Sequence, residues 1–180
     1  MKMTRDRKIR WFVPLMLFLS VMIDSALPAI FPKAFLDPAQ TIVSHLTLFC
    51  IITFAFYFKD AHIVLYGFIF GLLTDSYNTL LLGLYATLYF FVALIVVRIK
   101  KFFPRKAFVH YMFFIVAISF VDFLVFVFYK ELNMIHVVLT EFLVQHLTPT
   151  LIFNTVLSFA LYFPTKWILS WLGYEDYIIF

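Results

Sequence analysis

Six apolar runs, each near the length of a membrane-crossing helix and separated by brief polar punctuation, organise this chain. They occupy residues 11–31, 41–58, 61–78, 79–97, 108–128 and 147–163. A helix rising about 1.5 Å per residue needs roughly 20 residues to cross a hydrocarbon layer. The runs carry so few charges that they predict helices apolar on all sides, fit for lipid or for the middle of a bundle. The longest pieces outside them are 129–146 and 164–180, so no separate soluble domain is expected. The fold class that follows is all-α: one bundle of six transmembrane helices forming a single domain over 1–180.

Within this pattern the stretch 67–83, GFIFGLLTDSYNTLLLG, stands apart. Gly67, Gly71 and Asp75 are four residues apart and share one helical face. Glycines at that spacing let a second helix approach closely, and a carboxylate on the same stripe needs a partner in hydrocarbon. The stripe is expected to face protein. Elsewhere, Leu132, Ile135, Leu139, Phe142 and Leu143 recur at three- and four-residue steps. They predict either an amphipathic surface helix over 129–146 or an outward extension of the sixth run by residues 142–146. The tail is expected to form an interfacial helix anchored by Trp167 and Trp171.

Composition sharpens the membrane reading: 64% of residues are hydrophobic, 22% aromatic and 13% charged. The net charge of +4 is explained by topology rather than by nucleic acid. Lys2, Arg5, Arg7, Lys8 and Arg10 precede the first run, and Arg98, Lys100, Lys101, Arg105 and Lys106 follow the fourth. Basic residues concentrate in cytoplasmic loops. Six crossings with the N-terminus inside leave only Lys33 and Lys130 outside. A five-crossing reading would divide the fourteen basic residues evenly, so charge favours six, with both termini cytoplasmic. Anionic lipid is a secondary partner for the basic clusters. Asp24 and Pro28 spoil a signal-peptide cleavage site, and the first run is expected to stay in the membrane.

Helical rise places Asp24 about 20 Å above the inner end of the first run and Asp122 about 21 Å up the fifth. Asp75 lies near the outer end of the third run, and Asn154 about 10 Å down the sixth from outside. These groups fall in the outer half of the bundle, with no Lys or Arg at that depth. They predict either an outward-open polar pocket or hydrogen bonds that join helices. Neighbours such as Ser25, Ser119, Thr74 and Tyr77 are the nearest expected partners. His45 and His110 are expected to make interhelical bonds rather than bind metal, and the lone Cys50 offers no disulfide.

Catalytic patterns are missing. Glu141 and His146 are five apart and cannot form H-E-x-x-H, and there is no G-x-S-x-G or P-loop. A carboxylate pair from Asp75 and Asp122 is the one conceivable acid–base device. No enzyme, cofactor or metal is expected.

The glycine–aspartate pattern of Gly67, Gly71, Asp75 and Gly83 resembles the MreD family of rod-shape-determining proteins. So does PTLIFN, from Pro149 through Thr150 to Asn154, followed by LSFALYFP ending at Pro164. The resemblance implies a non-catalytic, multi-pass scaffold of the bacterial cytoplasmic membrane, serving cell elongation and peptidoglycan synthesis. It implies MreC as a partner, together with the SEDS glycosyltransferase RodA and its class B penicillin-binding transpeptidase. Asp24 and Asp122 have no place in that family pattern. The alternative is the substrate-binding S component of an energy-coupling-factor vitamin transporter, also a six-helix protein of this size. Against it, Ala26 and Ala29 lack the A-x-x-x-A spacing used for docking a coupling subunit.

Overall fold

The computed structural model describes residues 5–37, 39–58, 62–78, 81–104 and 106–173. The expected turn at Lys59-Asp60, the start of the fourth run at Thr79, and the end at 174–180 lie outside that set. Among the described residues, helices account for nearly all of the structure. They are α1 (Arg5–Ile30), α2 (Pro32–Phe35), α3 (Leu46–Tyr57), α4 (Ile63–Asn78), α5 (Leu84–Ile99), α6 (Ala107–Glu131), α7 (Leu139–Phe142), α8 (Thr148–Ala160) and α9 (Tyr162–Trp171). The loop after α2 forms a two-residue hairpin, β1 (Leu36–Asp37) against β2 (Gln40–Thr41). The Asp37 carboxylate accepts the Ala39 N–H at 2.7 Å to close its turn.

Among the described residues, three helical stretches are long and apolar enough to cross a membrane: Lys8–Ile30, Ala107–Glu131 and Leu139–Ala160. Prolines shape two of them. Because α1 begins at Arg5, Pro14 falls inside the helix rather than in its first turn, so the Arg10 carbonyl lacks its usual donor. Pro149 likewise cannot donate within the last long helix. The preceding turn, Leu143–Leu147, widens to π geometry, and Thr148 Oγ1 donates to the Leu143 carbonyl at 2.7 Å. Pro164 removes the donor that would bridge Ala160, and the chain breaks at Leu161 before α9.

The segment 129–146 resolves in favour of the extension. Helix α6 runs on to Glu131, Asn133 takes a left-handed φ of 54°, and the helical path resumes at Leu139. Asparagine tolerates that conformation at a helix end. An amphipathic helix beginning at Leu132 is not formed, and Leu132, Met134 and Val138 are exposed on a loop.

Helix α3 is the hub. From Thr47 to Tyr57 every residue is buried, and α1, α4, α5 and α6 all pack on it. Its lack of an apolar stripe therefore reflects enclosure on all sides. Twelve residues rise only about 18 Å, because the helix begins five residues later than the second apolar run. Residues 42–45 are non-helical. Backbone of that kind is tolerated at membrane depth only where protein surrounds it. The outer surface is apolar, with Phe18, Phe68, Phe91, Val116, Phe120 and Ile152 all exposed.

Candidate functional site

The glycine–aspartate stripe builds one helical hairpin. A Cβ placed on Gly71 would meet three backbone atoms of the facing chain: Ala86 Cα at 2.5 Å, Ala86 N at 2.8 Å and Tyr85 O at 2.8 Å. One on Gly67 would meet Tyr89 O at 3.0 Å. The glycines thus let α4 lie against the backbone of α5. One turn beyond Gly71, fully buried Asp75 accepts N–H groups from Gly83 at 2.9 Å, Tyr85 at 3.0 Å and Ala86 at 3.1 Å. These are donors that a helix start leaves without intrahelical partners, at its positive dipole end. Gly83 precedes α5 at φ 104°, a conformation that costs glycine little. All four residues are parts of a single device that seats and caps α5.

A second device holds the non-helical approach to α3. From α1, the Asp24 carboxylate receives the Ser44 hydroxyl at 2.6 Å and the Leu46 N–H at 3.0 Å on one oxygen. Its other oxygen receives the Thr47 N–H and hydroxyl, each at 2.7 Å. From α8, Asn154 Oδ1 accepts the His45 N–H at 2.8 Å. Its Nδ2 donates to the carbonyls of Val43 at 2.7 Å and Thr150 at 2.8 Å. Thr150 Oγ1 accepts the Val43 N–H at 3.1 Å. Side chains from two helices thereby replace the hydrogen bonds that residues 43–47 do not make in a helix of their own.

Helix α6 supplies the third side. Asp122 Oδ1 lies 3.0 Å from His45 Nε2, and its Oδ2 lies 3.8 Å from His146 Nε2 on the π turn. Lower in the bundle, His110 Nε2 is 2.9 Å from the Thr53 hydroxyl. At the far end of α3, Lys100 Nζ donates to the carbonyls of Ala55 at 2.7 Å and Phe58 at 2.6 Å. The buried helix thus has a carboxylate at its N-terminus and an ammonium at its C-terminus, each matched in sign to the dipole.

The structure brings Asp24, Asp122, Thr150 and Asn154 together around residues 43–47, and places Gly67, Gly71, Asp75 and Gly83 at the α4–α5 hairpin. Pro149 acts through the π turn beside the first group. The local partners expected from sequence do not serve the acids. Thr74 and Ser119 bond back to Phe70 and Ile115 in their own helices, and Ser25 Oγ is buried without a hydrogen-bond partner. Asp75 serves α5 while Asp122 pairs with His45, so each carboxylate is committed to a different structural contact. Among the described residues, no group of three or more His, Cys, Asp or Glu side chains is arranged for a metal ion. Sequence reasoning missed Lys100, read there only as a topology signal, and Ser44 and Thr47. The S-H-x-T pattern just before a wholly apolar run was the available clue.

Cavities lined by other described residues are also present. An apolar groove of about 670 Å³ runs between α6 and α8–α9, and a polar one of about 420 Å³ lies in the loop at Lys130–Val138.

Comparison with curated proteins and with solved structures returns no match. The family profile described as rod shape-determining protein MreD matches residues 5–171. That range takes in both side-chain clusters and nearly every described element. The family is one of membrane proteins that act in cell-shape determination, with no known enzymatic activity. The chain belongs to the MreD family of rod shape-determining proteins.

Proposed function

We propose that this protein is a non-catalytic, multi-pass scaffold of the bacterial cytoplasmic membrane that serves the cell-elongation machinery. It binds MreC and, directly or through it, the glycosyltransferase RodA and the class B penicillin-binding transpeptidase. Family membership across residues 5–171 carries this reading. The use of the intramembrane polar groups supports it: Asp24, Asp75 and Asn154 are occupied in seating α3 and α5. A protein whose polar groups fix its own helices presents a rigid shape to partners. The shorter helices α3, α4 and α5 cross the membrane with the three long ones, giving six spans. Charge bias sets both termini on the cytoplasmic side.

In this reading the α4–α5 hairpin shapes the surface that receives the single span of MreC. Capture of MreC from membranes tests it, using Asp75→Leu against Asp37→Leu in the outer hairpin. Asp75→Leu is expected to weaken capture severalfold while Asp37→Leu retains it. Equal effects would refute the role of the hairpin.

A further inference from the structure

The groove between α6 and α8–α9 is built to hold something apolar beside positive charge. Its walls are the exposed side chains of Phe108, Met112 and Val116 on α6 and of Phe159 and Phe163 opposite, with Thr155 set between. The α6 residues recur at four-residue steps, so they form one continuous wall about 12 Å long. Tyr111 and Phe159 meet across the groove with ring centroids 5.6 Å apart. Its volume of about 670 Å³ lies within the usual range of small-molecule sites.

Charge marks one end. Lys106, exposed and extended in backbone, immediately precedes α6 and sits two residues from Phe108. On α9, exposed Lys166 places Nζ 6.0 Å from the ring centroid of Tyr162, which itself lines the groove. Neither lysine pairs with a described carboxylate. Trp167, 72% exposed, stands beside Lys166, as an interfacial aromatic would at headgroup level. The mouth is therefore cationic and interfacial, while the body lies within the apolar part of the bundle.

We propose that this groove is a binding site for an anionic phospholipid of the inner leaflet. One acyl chain lies along the α6 wall, and the phosphate is held between Lys106 and Lys166. A partner's transmembrane helix would fill the apolar body equally well but has no need of two lysines at the mouth. A zwitterionic lipid would gain less from them. The assignment to the inner leaflet rests on the cytoplasmic orientation proposed above.

The test uses the purified full chain in mild detergent. It is titrated with phosphatidylglycerol or with phosphatidylcholine of identical acyl chains, and bound lipid is counted by native mass spectrometry. The wild type is expected to hold one phosphatidylglycerol about 20-fold more tightly than phosphatidylcholine, as two lysines near an anionic headgroup predict. Lys106→Gln with Lys166→Gln should erase that preference while leaving both lipids bound. Met112→Trp should fill the groove and displace both. Equal binding by the wild type, or a preference that survives loss of both lysines, would overturn the proposal. So would a photo-crosslinker at position 112 that captures a protein instead of phospholipid in native membranes. MreC capture is scored on the same proteins, so equal binding of the two lipids by a wild type that still captures MreC refutes the lipid site and leaves the scaffold reading standing.

Discussion

Replacing Gly71 with alanine adds one methyl group against a surface that has no way to yield locally. The three nearest atoms, at 2.5 to 2.8 Å, are all backbone of α5, so no side-chain rotation relieves the clash. Restoring an ordinary contact from 2.5 Å requires the two helices to part by about 0.9 Å, and overpacking of this kind costs about 1–3 kcal/mol. The displacement also acts on Asp75, whose bonds to Gly83, Tyr85 and Ala86 start at 2.9 to 3.1 Å. Lengthened by a similar amount they pass out of hydrogen-bonding range, and each buried N–H left open costs about 1–3 kcal/mol more. Overpacking with even one of the three bonds lost gives a total of about 2–6 kcal/mol, or roughly 4–24 °C in the melting temperature of a chain this size.

Gly67→Ala provides the control. Its Cβ would meet Tyr89 O at 3.0 Å, a contact relieved by a few tenths of an ångström, with an expected loss of about 1 kcal/mol or less. Gly83→Ala should lose about 1–2 kcal/mol for a different reason. Nothing lies within 4 Å of its Cβ, but φ is 104°. Thermal unfolding of the three purified variants in mild detergent gives the ranking. If Gly67→Ala is as damaging as Gly71→Ala, the close-packing argument is wrong.

The second cluster and the membrane orientation yield further tests. Asn154→Leu strands the His45 N–H and the Val43 carbonyl; it should destabilise the protein by about 2–4 kcal/mol, measured by the same melts, with Asn154→Asp milder because the acceptor remains. Lys100→Met leaves the Ala55 and Phe58 carbonyls without their ammonium and should lower stability by about 1 kcal/mol; no change in melting temperature would show that water replaces the cap at no cost. Single cysteines introduced in a Cys50→Ala background at positions 106 and 134 should react with an impermeant thiol reagent from the cytoplasmic and outer sides respectively. Labelling of both from one side would contradict the six-span arrangement.

The long runs and the glycine stripe were legible because each leaves a local signature: continuous hydrophobicity or a four-residue spacing. The proximity of Gly71 to another backbone follows from the same logic. The start of α3 was not legible. Residues 41–45 open a run that is apolar as a whole, and what keeps 43–45 out of the helix comes from Asp24 in an earlier helix and from Thr150 and Asn154 more than a hundred positions away. For the same reason the acids looked like lone intramembrane charges, and their true partners, mostly backbone N–H groups, carry no residue-type signal. Lys100 was hidden by its neighbours: inside a basic cluster, a lysine that caps a buried helix looks like any other topology determinant. The loop over 132–138 defeated periodicity because its apolar residues fit a helical repeat that Asn133 interrupts.

The central claim is that this rigid bundle serves as a scaffold for peptidoglycan-synthesising partners. The most direct measurement is a mild-detergent pull-down of the tagged protein from native membranes, read by mass spectrometry. The account predicts recovery of MreC with the glycosyltransferase and the transpeptidase. Recovery instead of a transmembrane coupling subunit with two ATPases would contradict it and mark the bundle as part of a transporter.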